Sequence, residues 1–421
     1  MLTLADAFSK LKPIKVLVIG DFLLDVYTKG KVDRISPEAP VPVLLVTEII
    51  KSPGGAGNVS LNLKALGAEV SVIGRIGNDD SDLNLHNLLK VNEIDVNGLF
   101  FQDGYRTPLK NRFLADGQQL MRTDYEVLTP LSQSIEKVIS NYIKNELPKY
   151  DIVAVSDYGK GFLSRNLLKT ILDEGRKHSI RIIIDPKGKD FTKYNGAFLI
   201  KPNNKEAYAA AGYENDVTIE KVVEKIFEKV DAENLIITRS DKGMSLFTKN
   251  YQGVQNFPAV KKDVIDVTGA GDTALAMIAF AIANGLSFSH AIELANIASG
   301  LAIEKLGCAA IRLADIAGRL LERDLVCKII WEDTNLFFIK QAIEYEDINI
   351  LDLRGYEDIS TEVYRYIKEA VSKKNDSKLI IHAIPTETNI NFIQLLASMH
   401  GVDFVFARCD DPRSLLARSV C

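Results

Sequence analysis

The residues best suited to catalysis lie in the stretch 266–273, which leads directly into an apolar run. Gly269, Ala270 and Gly271 have almost no side chain, so their backbone N–H groups can converge on an anion at the positive end of the helix predicted to follow. Asp272 stands in the first turn of that helix, where a carboxylate can accept a proton from a hydroxyl beside the anion. Because aspartate and threonine are also ordinary capping residues, a capped helix N-terminus with a glycine turn is the alternative interpretation. The combination of anion cradle (Gly269–Gly271) and base predicts phosphoryl transfer.

Such a site needs a scaffold, and the surrounding sequence predicts an α/β fold. Between residues 151 and 238, short apolar runs alternate with amphipathic helical patterns, which indicates a parallel sheet with helices on both faces. Polar residues follow several of these runs, and the carboxyl ends of parallel strands are where such sheets bind ligands. These polar stretches are 157–161, 185–188, 201–206 and 238–243.

Two segments near the N-terminus carry groups suited to a polar ligand. Residues 14–20 predict a buried strand that ends in Gly-Asp, and Asp25 follows five residues later. Three prolines soon after Asp25 exclude a central strand and predict a small projecting β lid. A turn at Gly54 and Gly55 precedes a predicted helix with Asn58 near its start, although such a turn alone is a weak signal.

The composition is that of an ordinary globular protein. The chain has 421 residues, 47% of them hydrophobic and 25% charged, and a formal net charge of −5, so no basic surface for nucleic acid is indicated. Its four cysteines lack C-x-x-C spacing and its five histidines lack metal-ligand spacing, so we expect neither a disulfide framework nor a metal site built from these residues. The sequence contains no signal-peptide pattern and no window of ~18 uninterrupted apolar residues. We therefore expect a cytoplasmic protein without nucleic-acid or membrane partners.

The organisation of the chain restarts after residue 324. Short apolar runs at 326–331, 348–351, 379–384 and 404–407 are separated by helical patterns. This alternation predicts a second, smaller α/β unit. We therefore expect two domains, 1–324 and 325–421.

Two motifs together resemble a known family. Gly54-Gly55-Ala56-Gly57-Asn58 and the stretch 266–272, about 210 residues apart, are similar to the two signatures of the ribokinase-like (PfkB) carbohydrate kinases. Three further stretches, 20–25, 34–43 and 185–191, resemble one branch, the D-glycero-D-manno-heptose 7-phosphate kinase domain of the bifunctional ADP-heptose synthesis enzyme. The resemblance covers about residues 10 to 320 and implies a ribokinase-like sheet with a small β lid.

The resemblance also implies roles for individual residues. Asp272 would be the catalytic base and the anion cradle would stabilise the transferred phosphoryl group. The positions that match the family's nucleotide-binding segments are Asn203, Asn204, Lys205, Glu206, Thr238, Arg239, Ser240 and Gly243. Among them Asn203 and Glu206 would organise the shell of Mg²⁺ and phosphate around ATP.

On the sugar side, the matching positions are Asp25, Gly54, Gly55 and Asn58, whose carboxylate, amide and close backbone suit vicinal hydroxyls. Lys160 is a further candidate for substrate binding, with a solvated lysine as the alternative. A substrate that already carries a phosphate also needs cations, and Arg34, Lys110, Arg112 and Arg122 are either those cations or surface charges.

The second unit lacks the chemistry of its counterpart in the bifunctional enzymes. There the resemblance implies an adenylyltransferase with an H-x-G-H loop, and no such histidine pair exists here. The closest alignment places residues 357–370 over that loop and its helix. We therefore expect either a degenerate adenylyltransferase-like unit or an unrelated α/β appendage.

The resemblance and the motifs together predict an ATP-dependent kinase that phosphorylates the anomeric hydroxyl of a heptose 7-phosphate. Its product would feed ADP-heptose and cell-envelope lipopolysaccharide synthesis, and a homodimer is expected. The alternatives are a ribokinase-like kinase for another sugar, nucleoside or phosphosugar, and a sugar-binding regulator without turnover.

Overall fold

The computed structural model describes residues 4–78, 80–214, 217–249, 253–259, 264–323, 328–331, 333–344, 346–374, 377–386, 389–408 and 412–413. The chain forms two compact units. The larger is Lys12–Ile311, and the smaller joins Met1–Leu11 to Arg312–Cys421. The expected division after residue 324 stays a prediction about which segment folds by itself.

The elements of the chain have the following bounds. The strands are β1 (Lys15–Gly20), β2 (Phe22–Ile35), β3 (Pro42–Gly55), β4 (Glu69–Ile76), β5 (Asp95–Phe101), β6 (Leu109–Ala115), β7 (Gln118–Tyr125), β8 (Ile152–Ser156), β9 (Arg181–Asp185), β10 (Leu199–Ile200), β11 (Asn234–Thr238), β12 (Met244–Thr248), β13 (Gln255–Phe257), β14 (Ile329–Ile330), β15 (Ile348–Asp352), β16 (Lys378–His382) and β17 (Phe404–Phe406). The helices are α1 (Leu4–Phe8), α2 (Ala56–Ala65), α3 (Asp80–Val91), α4 (Gln133–Glu146), α5 (Arg165–Lys177), α6 (Asn204–Ala211), α7 (Ile219–Lys229), α8 (Ala270–Ala283), α9 (Phe288–Ile303), α10 (Leu313–Arg323), α11 (Asp333–Ala342), α12 (Thr361–Lys373) and α13 (Ile390–Ser398).

The larger unit is built on a sheet whose described strands run in the order β13-β12-β11-β10-β9-β8-β1-β4-β5. The strands from β5 to β11 are parallel, and β12 and β13 add an antiparallel edge. In β1, Leu17 and Ile19 pack in a core with α4 to α7, while Val16 and Val18 are buried on the opposite face, where α2 lies. Both faces are covered, which explains the continuous apolar runs and confirms the predicted α/β class.

The predicted lid is a second sheet, of strand order β3-β2-β6-β7. We call these four strands the lid. Pro37 and Pro40 lie in the loop between β2 and β3, and Pro42 opens β3 at the edge of the sheet. Proline is compatible with an edge because it removes no hydrogen bond from a central ladder. The proline-rich segment therefore ends the lid as the sequence predicted.

The strand register brings the polar stretches together. Gly20 pairs with Ser156, and Ser156 pairs with Asp185, so β1, β8 and β9 end at the same level of the sheet. The residues that follow these strands, Asp21 and Asp157 among them, leave the sheet at its carboxyl edge. This edge carries the candidate site.

The smaller unit has its own parallel sheet, of order β14-β17-β16-β15, with α11, α12 and α13 between its strands. Its core joins Ile381 and Val405 from the sheet to Val363 of α12 and Leu396 of α13. This confirms a smaller C-terminal α/β unit. Across the described part of the chain, none of the helices is both long enough and apolar enough to cross a membrane.

Candidate active site

The anion cradle is the N-terminus of α8. Gly269 is the N-cap residue in a left-handed conformation, with φ 82°, and a β-carbon there would lie 2.7 Å from Asn58 Nδ2. Gly271 lies inside the helix, and a β-carbon there would lie 3.9 Å from Lys201 Nζ and 4.0 Å from Asp185 Oδ2. The first turn of α8 therefore offers its free N–H groups beside a buried ammonium group, which suits an anion.

Asp272, in the first turn of α8, is a buried carboxylate with two side-chain donors. Its Oδ2 accepts a hydrogen bond from Asn58 Nδ2 at 2.8 Å, and the Tyr158 hydroxyl lies 2.9 Å from Oδ1 and 3.1 Å from Oδ2. Burial raises the pKa of Asp272 to about 7. The hydrogen bond from Asn58 opposes this rise in pKa, Asp185 adds to it, and Tyr158 and then Lys201 oppose it. A carboxyl group with a pKa near 7 is suited to accept a proton at neutral pH.

A buried network fixes the orientation of Asn58. The Nδ2 of Asn62 donates to Asn58 Oδ1 at 3.2 Å, which leaves the Asn58 amide nitrogen to face Asp272. The Oδ1 of Asn62 in turn accepts from the Thr273 hydroxyl at 3.3 Å and from the Ile311 N–H at 3.2 Å. The network joins α2 to the start of α8, so the donor to Asp272 is positioned by two helices.

Two of the other sugar-side candidates, Asp25 and Gly54, meet at the base of the lid. Asp25 forms a buried ion pair with Arg112, and a β-carbon at Gly54 would lie 2.0 Å from Asp25 Oδ2. Cys308 connects this pair to the anion cradle, because its Sγ lies 3.8 Å from Asp25 Oδ2 and would lie 3.4 Å from a β-carbon at Gly269. Glycine at position 54 therefore leaves the space that the Asp25 carboxylate occupies.

A cavity of about 170 Å³ opens beside the anion cradle. It is lined by Asp157, Tyr158, Asp185, Pro186, Lys187, Lys201, Asn203, Glu206, Thr238, Gly269, Gly271 and Asp272. Lys201 Nζ lies 2.9 Å from Asp185 Oδ2, and Lys187 Nζ lies 2.8 Å from Glu206 Oε1. Two ammonium groups and a helix N-terminus thus surround a space next to the base.

Asn203 and Glu206 form a capping box at the start of α6. Asn203 Oδ1 accepts from the Glu206 N–H at 2.9 Å, and Glu206 Oε2 accepts from the Asn203 N–H at 3.0 Å. Asn204 is the first helical residue, and Lys205 is exposed. Within the residues that the structure describes, no group of three acidic, histidine or cysteine side chains could hold a metal ion by itself.

The nucleotide-binding candidates at the end of β11 and in the loop after it differ in where their side chains lie. Thr238 lines the cavity. Arg239 instead donates from Nη1 to the Ser245 hydroxyl at 3.1 Å, and Ser240 is exposed. Gly243 has φ 78°, and a β-carbon there would lie 2.1 Å from a backbone oxygen of the neighbouring strand. Glycine at position 243 is therefore explained by the turn before β12, and Arg239 contacts β12 rather than the cavity.

The candidate cations are distributed unevenly. Lys160 Nζ lies 2.6 Å from Glu126 Oε2, and Lys110 Nζ lies 5.4 Å from the ring centroid of Tyr158. The electrostatic influence of Lys160 reaches Lys110, whose pKa is lowered first by burial and also by that neighbouring charge. Two further candidates, Arg34 and Arg122, are exposed, whereas Lys110 and Lys160 are half-buried. Lys110 and Lys160 therefore form a pair of cations close to Tyr158.

Several residues at the site have no role that the sequence alone predicts. Tyr158, Asp185 and Lys201 all lie in the polar stretches after predicted strands, and Asp185 also opens the stretch 185–191 that resembles the family branch. Cys308 lies in the segment after α9 and had no sequence signal. Their contacts depend on which strands are neighbours in the sheet, and the spacing of residues along the sequence does not predict that order.

Comparison with known proteins supports the interpretation of the motifs. Residues 13–314 match the family described as pfkB family carbohydrate kinase. The chain is 41% identical over 326 residues to the bifunctional protein HldE of Trichlorobacter lovleyi, covering 76% of this chain and 66% of that protein. It is 41% identical over 315 residues to the protein of the same name from Geobacter sulfurreducens, covering 74% of this chain and 64% of that one. The match thus spans just under two thirds of each relative.

Solved structures agree on the fold. Ribokinase from Thermotoga maritima aligns with a TM-score of 0.55 and 23% identity, over 73% of this chain and 99% of that one. Phosphofructokinase-2 from Escherichia coli, in complex with potassium, aligns with a TM-score of 0.59 and 18% identity, over 72% of this chain and 97% of that one. These likenesses show a ribokinase-like fold for the larger unit. Together with the match over residues 13–314, they show that the chain belongs to the pfkB family of carbohydrate kinases.

Proposed function

We propose that this kinase transfers the γ-phosphoryl group of ATP to the anomeric hydroxyl of D-glycero-D-manno-heptose 7-phosphate. The product would be the heptose 1,7-bisphosphate, an intermediate of ADP-heptose biosynthesis. The observation that carries the proposal is the buried carboxylate of Asp272 between two donors beside the anion cradle. The choice of sugar rests on the similarity to the HldE proteins.

Asp272 would act as the general base. Its carboxylate would take the proton of the anomeric hydroxyl while that oxygen forms a bond to the γ-phosphorus, and the bond to the β,γ-bridging oxygen breaks to release ADP. The N–H groups at the start of α8 and the ammonium of Lys201 would stabilise the charge on the transferred group. Catalysis would therefore consist mainly of positioning and electrostatic stabilisation.

The residues around the cavity fit a nucleotide with Mg²⁺. Magnesium keeps several waters and needs few protein oxygens when phosphates supply the others, so the absence of a three-ligand cluster among the described side chains is compatible with it. Asn203 and Glu206 already serve as helix caps, and we propose that they hold the ion through its waters. Mg²⁺ would supply charge neutralisation on the phosphates.

Lys110 and Lys160 are the cations we assign to the phosphate that the sugar already carries. Both lie near Tyr158 at the base of the lid, and only one nearby carboxylate, that of Glu126, is within ion-pair distance of Lys160 among the described residues. Arg112 is the less suitable candidate because its ion pair with Asp25 is buried, whereas the ion pair of Lys160 with Glu126 is partly exposed. Glu126 offsets one of the two lysine charges, so the pair keeps a net positive charge that favours a phosphate, which can accept charge-assisted hydrogen bonds from both ammonium groups.

The test is an ADP-release assay with a panel of sugars, run with Lys110→Met and Lys160→Met beside the wild type. We expect the highest kcat/KM with the heptose 7-phosphate, and a raised KM for this substrate in both variants. The KM for an unphosphorylated sugar should not rise in either variant. A preference for another sugar, or a nucleoside, would identify a different member of the family, and sugar binding without ADP release would identify a regulator.

We also propose a homodimer in the cytoplasm. Strand β3 of the lid exposes Leu45 and Ile49, with 64% and 58% of their surfaces accessible. Such apolar side chains at a sheet edge are suited to contact with a second copy.

A further inference from the structure

Tyr158 is placed to act directly on the proposed base. It is half-buried and follows β8, and its hydroxyl lies within hydrogen-bonding distance of both carboxylate oxygens of Asp272. Burial, and next the charge of Asp272, raise the pKa of Tyr158 well above its usual value, so the hydroxyl keeps its proton. It can therefore only act as a donor toward the Asp272 carboxylate at physiological pH.

The backbone that carries Tyr158 is anchored on both sides. The N–H groups of Tyr158 and Lys160 donate to the buried Oδ2 of Asp21, at 2.9 Å and 3.1 Å. The carbonyl oxygen of Lys160 accepts from Nη2 of the buried Arg75 at 2.8 Å. The position of the hydroxyl is therefore set by the ends of β1, β4 and β8 rather than by a free loop.

We propose that Tyr158 is a positioning residue for phosphoryl transfer: its hydroxyl orients the Asp272 carboxylate and keeps it ionised for proton transfer. The inference rests on the proposed function, because it concerns the base of that reaction. A hydrogen bond donated to a carboxylate stabilises the charged form over the protonated one, so loss of the hydroxyl makes Asp272 harder to ionise.

The other groups that face Asp272 do not replace this contact. Asn58 from α2 donates to one carboxylate oxygen, Oδ2. Asp185 at the end of β9 disfavours the ionised form, and Lys201 after β10 favours it through its charge. Cys308 is a thiol whose pKa is raised, first by burial, so it stays neutral. Tyr158 is therefore the described donor that reaches Oδ1.

The first measurement is the pH dependence of kcat/KM for Tyr158→Phe with the best sugar substrate. We expect the acidic limb to move to higher pH by on the order of one unit, since a hydrogen bond to a charged group is worth about that much. The KM values for sugar and ATP should stay within about three-fold of wild type. The matched control is Tyr27→Phe, which removes a buried hydroxyl that contacts Cys308 rather than Asp272 and should leave the acidic limb in place.

The second measurement needs no turnover. Infrared difference titration, with Asp272→Asn as the reference, reports the protonation of the Asp272 carboxyl in the substrate-free protein. We expect its midpoint to rise in Tyr158→Phe and to stay unchanged in Tyr27→Phe. Equal midpoints in Tyr158→Phe and wild type would overturn the inference, even if the wild type phosphorylates the sugar. A wild type without sugar kinase activity would instead overturn the proposed function, and the titration would still decide the role of Tyr158.

Discussion

Asp272 shows how a residue suited to catalysis lowers the stability of the fold. In the folded protein its pKa is raised to about 7 by burial, whereas the unfolded carboxyl group has the ordinary value of 3.8. Between these pH values the native state binds more protons than the unfolded state, so stability falls as pH rises. Activity must rise over the same interval because the base works only when it is ionised.

We therefore predict opposite pH trends for stability and activity. The kcat/KM of the wild type should increase through about pH 7. Asp272→Asn keeps the shape of the side chain without its charge, so it should unfold at a higher temperature than the wild type at pH 8, with the difference disappearing near pH 4. Thermal unfolding of both proteins across this pH range measures it, and a variant less stable than the wild type at pH 8 would contradict the account.

The two glycines of the anion cradle should respond differently to the same substitution. At Gly269 the backbone has a positive φ, and a β-carbon would also clash with the Asn58 amide. Gly269→Ala should therefore lower stability by at least ~1 kcal/mol and reduce kcat. At Gly271 the backbone is helical and a β-carbon has ordinary contact distances, so Gly271→Ala should fold normally. Gly271→Val extends further into the cavity and should raise the KM for ATP. Denaturant unfolding and steady-state kinetics separate these effects, and equal stability losses at the two positions would refute the assignment.

For single residues, the sequence predicts a site where it needs a glycine without a side chain or a charge at the start of a helix. The glycines and Asp272 could be predicted because a helix start imposes its own chemistry within a few residues. Tyr158 and the Asn62 network could not, because their partners lie more than a hundred residues away. The sequence also does not distinguish the two glycines of the anion cradle, of which Gly269 has a positive φ.

Among the strands and helices, most strands of the large sheet can be predicted from local apolar runs in the sequence. Strand β1 begins one residue later than the predicted stretch 14–20 and ends with it, and β8, β9 and β11 end at or just before the polar stretches 157–161, 185–188 and 238–243. The antiparallel strands β12 and β13 were not predicted, because a short apolar strand after another strand has the same local pattern in either direction. The length of β2 and β3 also escaped prediction, since their exposed ends lack the burial alternation of core strands.

The lid carries a prediction of its own. If its apolar face forms the dimer, Ile49→Glu should shift the protein to the monomer, since a charged side chain in the interface would lose its solvation. Sedimentation velocity over a concentration series measures the change. The matched control is Val138→Glu, at an equally exposed apolar position on α4 (57% exposed), which should leave the oligomer unchanged. A wild type that sediments as a monomer at all concentrations would exclude the proposed dimer.

At the level of the two units, the candidate site belongs to the larger one. The candidate site lies within Lys12–Ile311, and every contact cited for it joins residues of that unit. In the smaller unit, α12 carries Glu362 in its first turn, within the segment 357–370 that aligns with the histidine loop and helix implied by the resemblance. A carboxylate at that position would repel a triphosphate.

We predict that a chain ending at residue 324 still phosphorylates the sugar and that the full chain has no adenylyltransferase activity. The first measurement is ADP release by the shortened chain, with circular dichroism to confirm folding. The second is pyrophosphate release that requires both ATP and a heptose 1-phosphate. Detection of that release would show that the smaller unit is an active adenylyltransferase, and a folded but inactive shortened chain would show that the smaller unit contributes to the kinase site.

Single-turnover phosphoryl transfer in Asp272→Asn measures whether Asp272 is the base of this carbohydrate kinase. The account predicts a loss of about 10²-fold or more in the rate of transfer, the usual cost of removing a general base, while the Kd for ATP stays within about three-fold of wild type. Retention of more than about a tenth of the wild-type rate would contradict it, because a general base cannot be replaced by an amide at so small a cost.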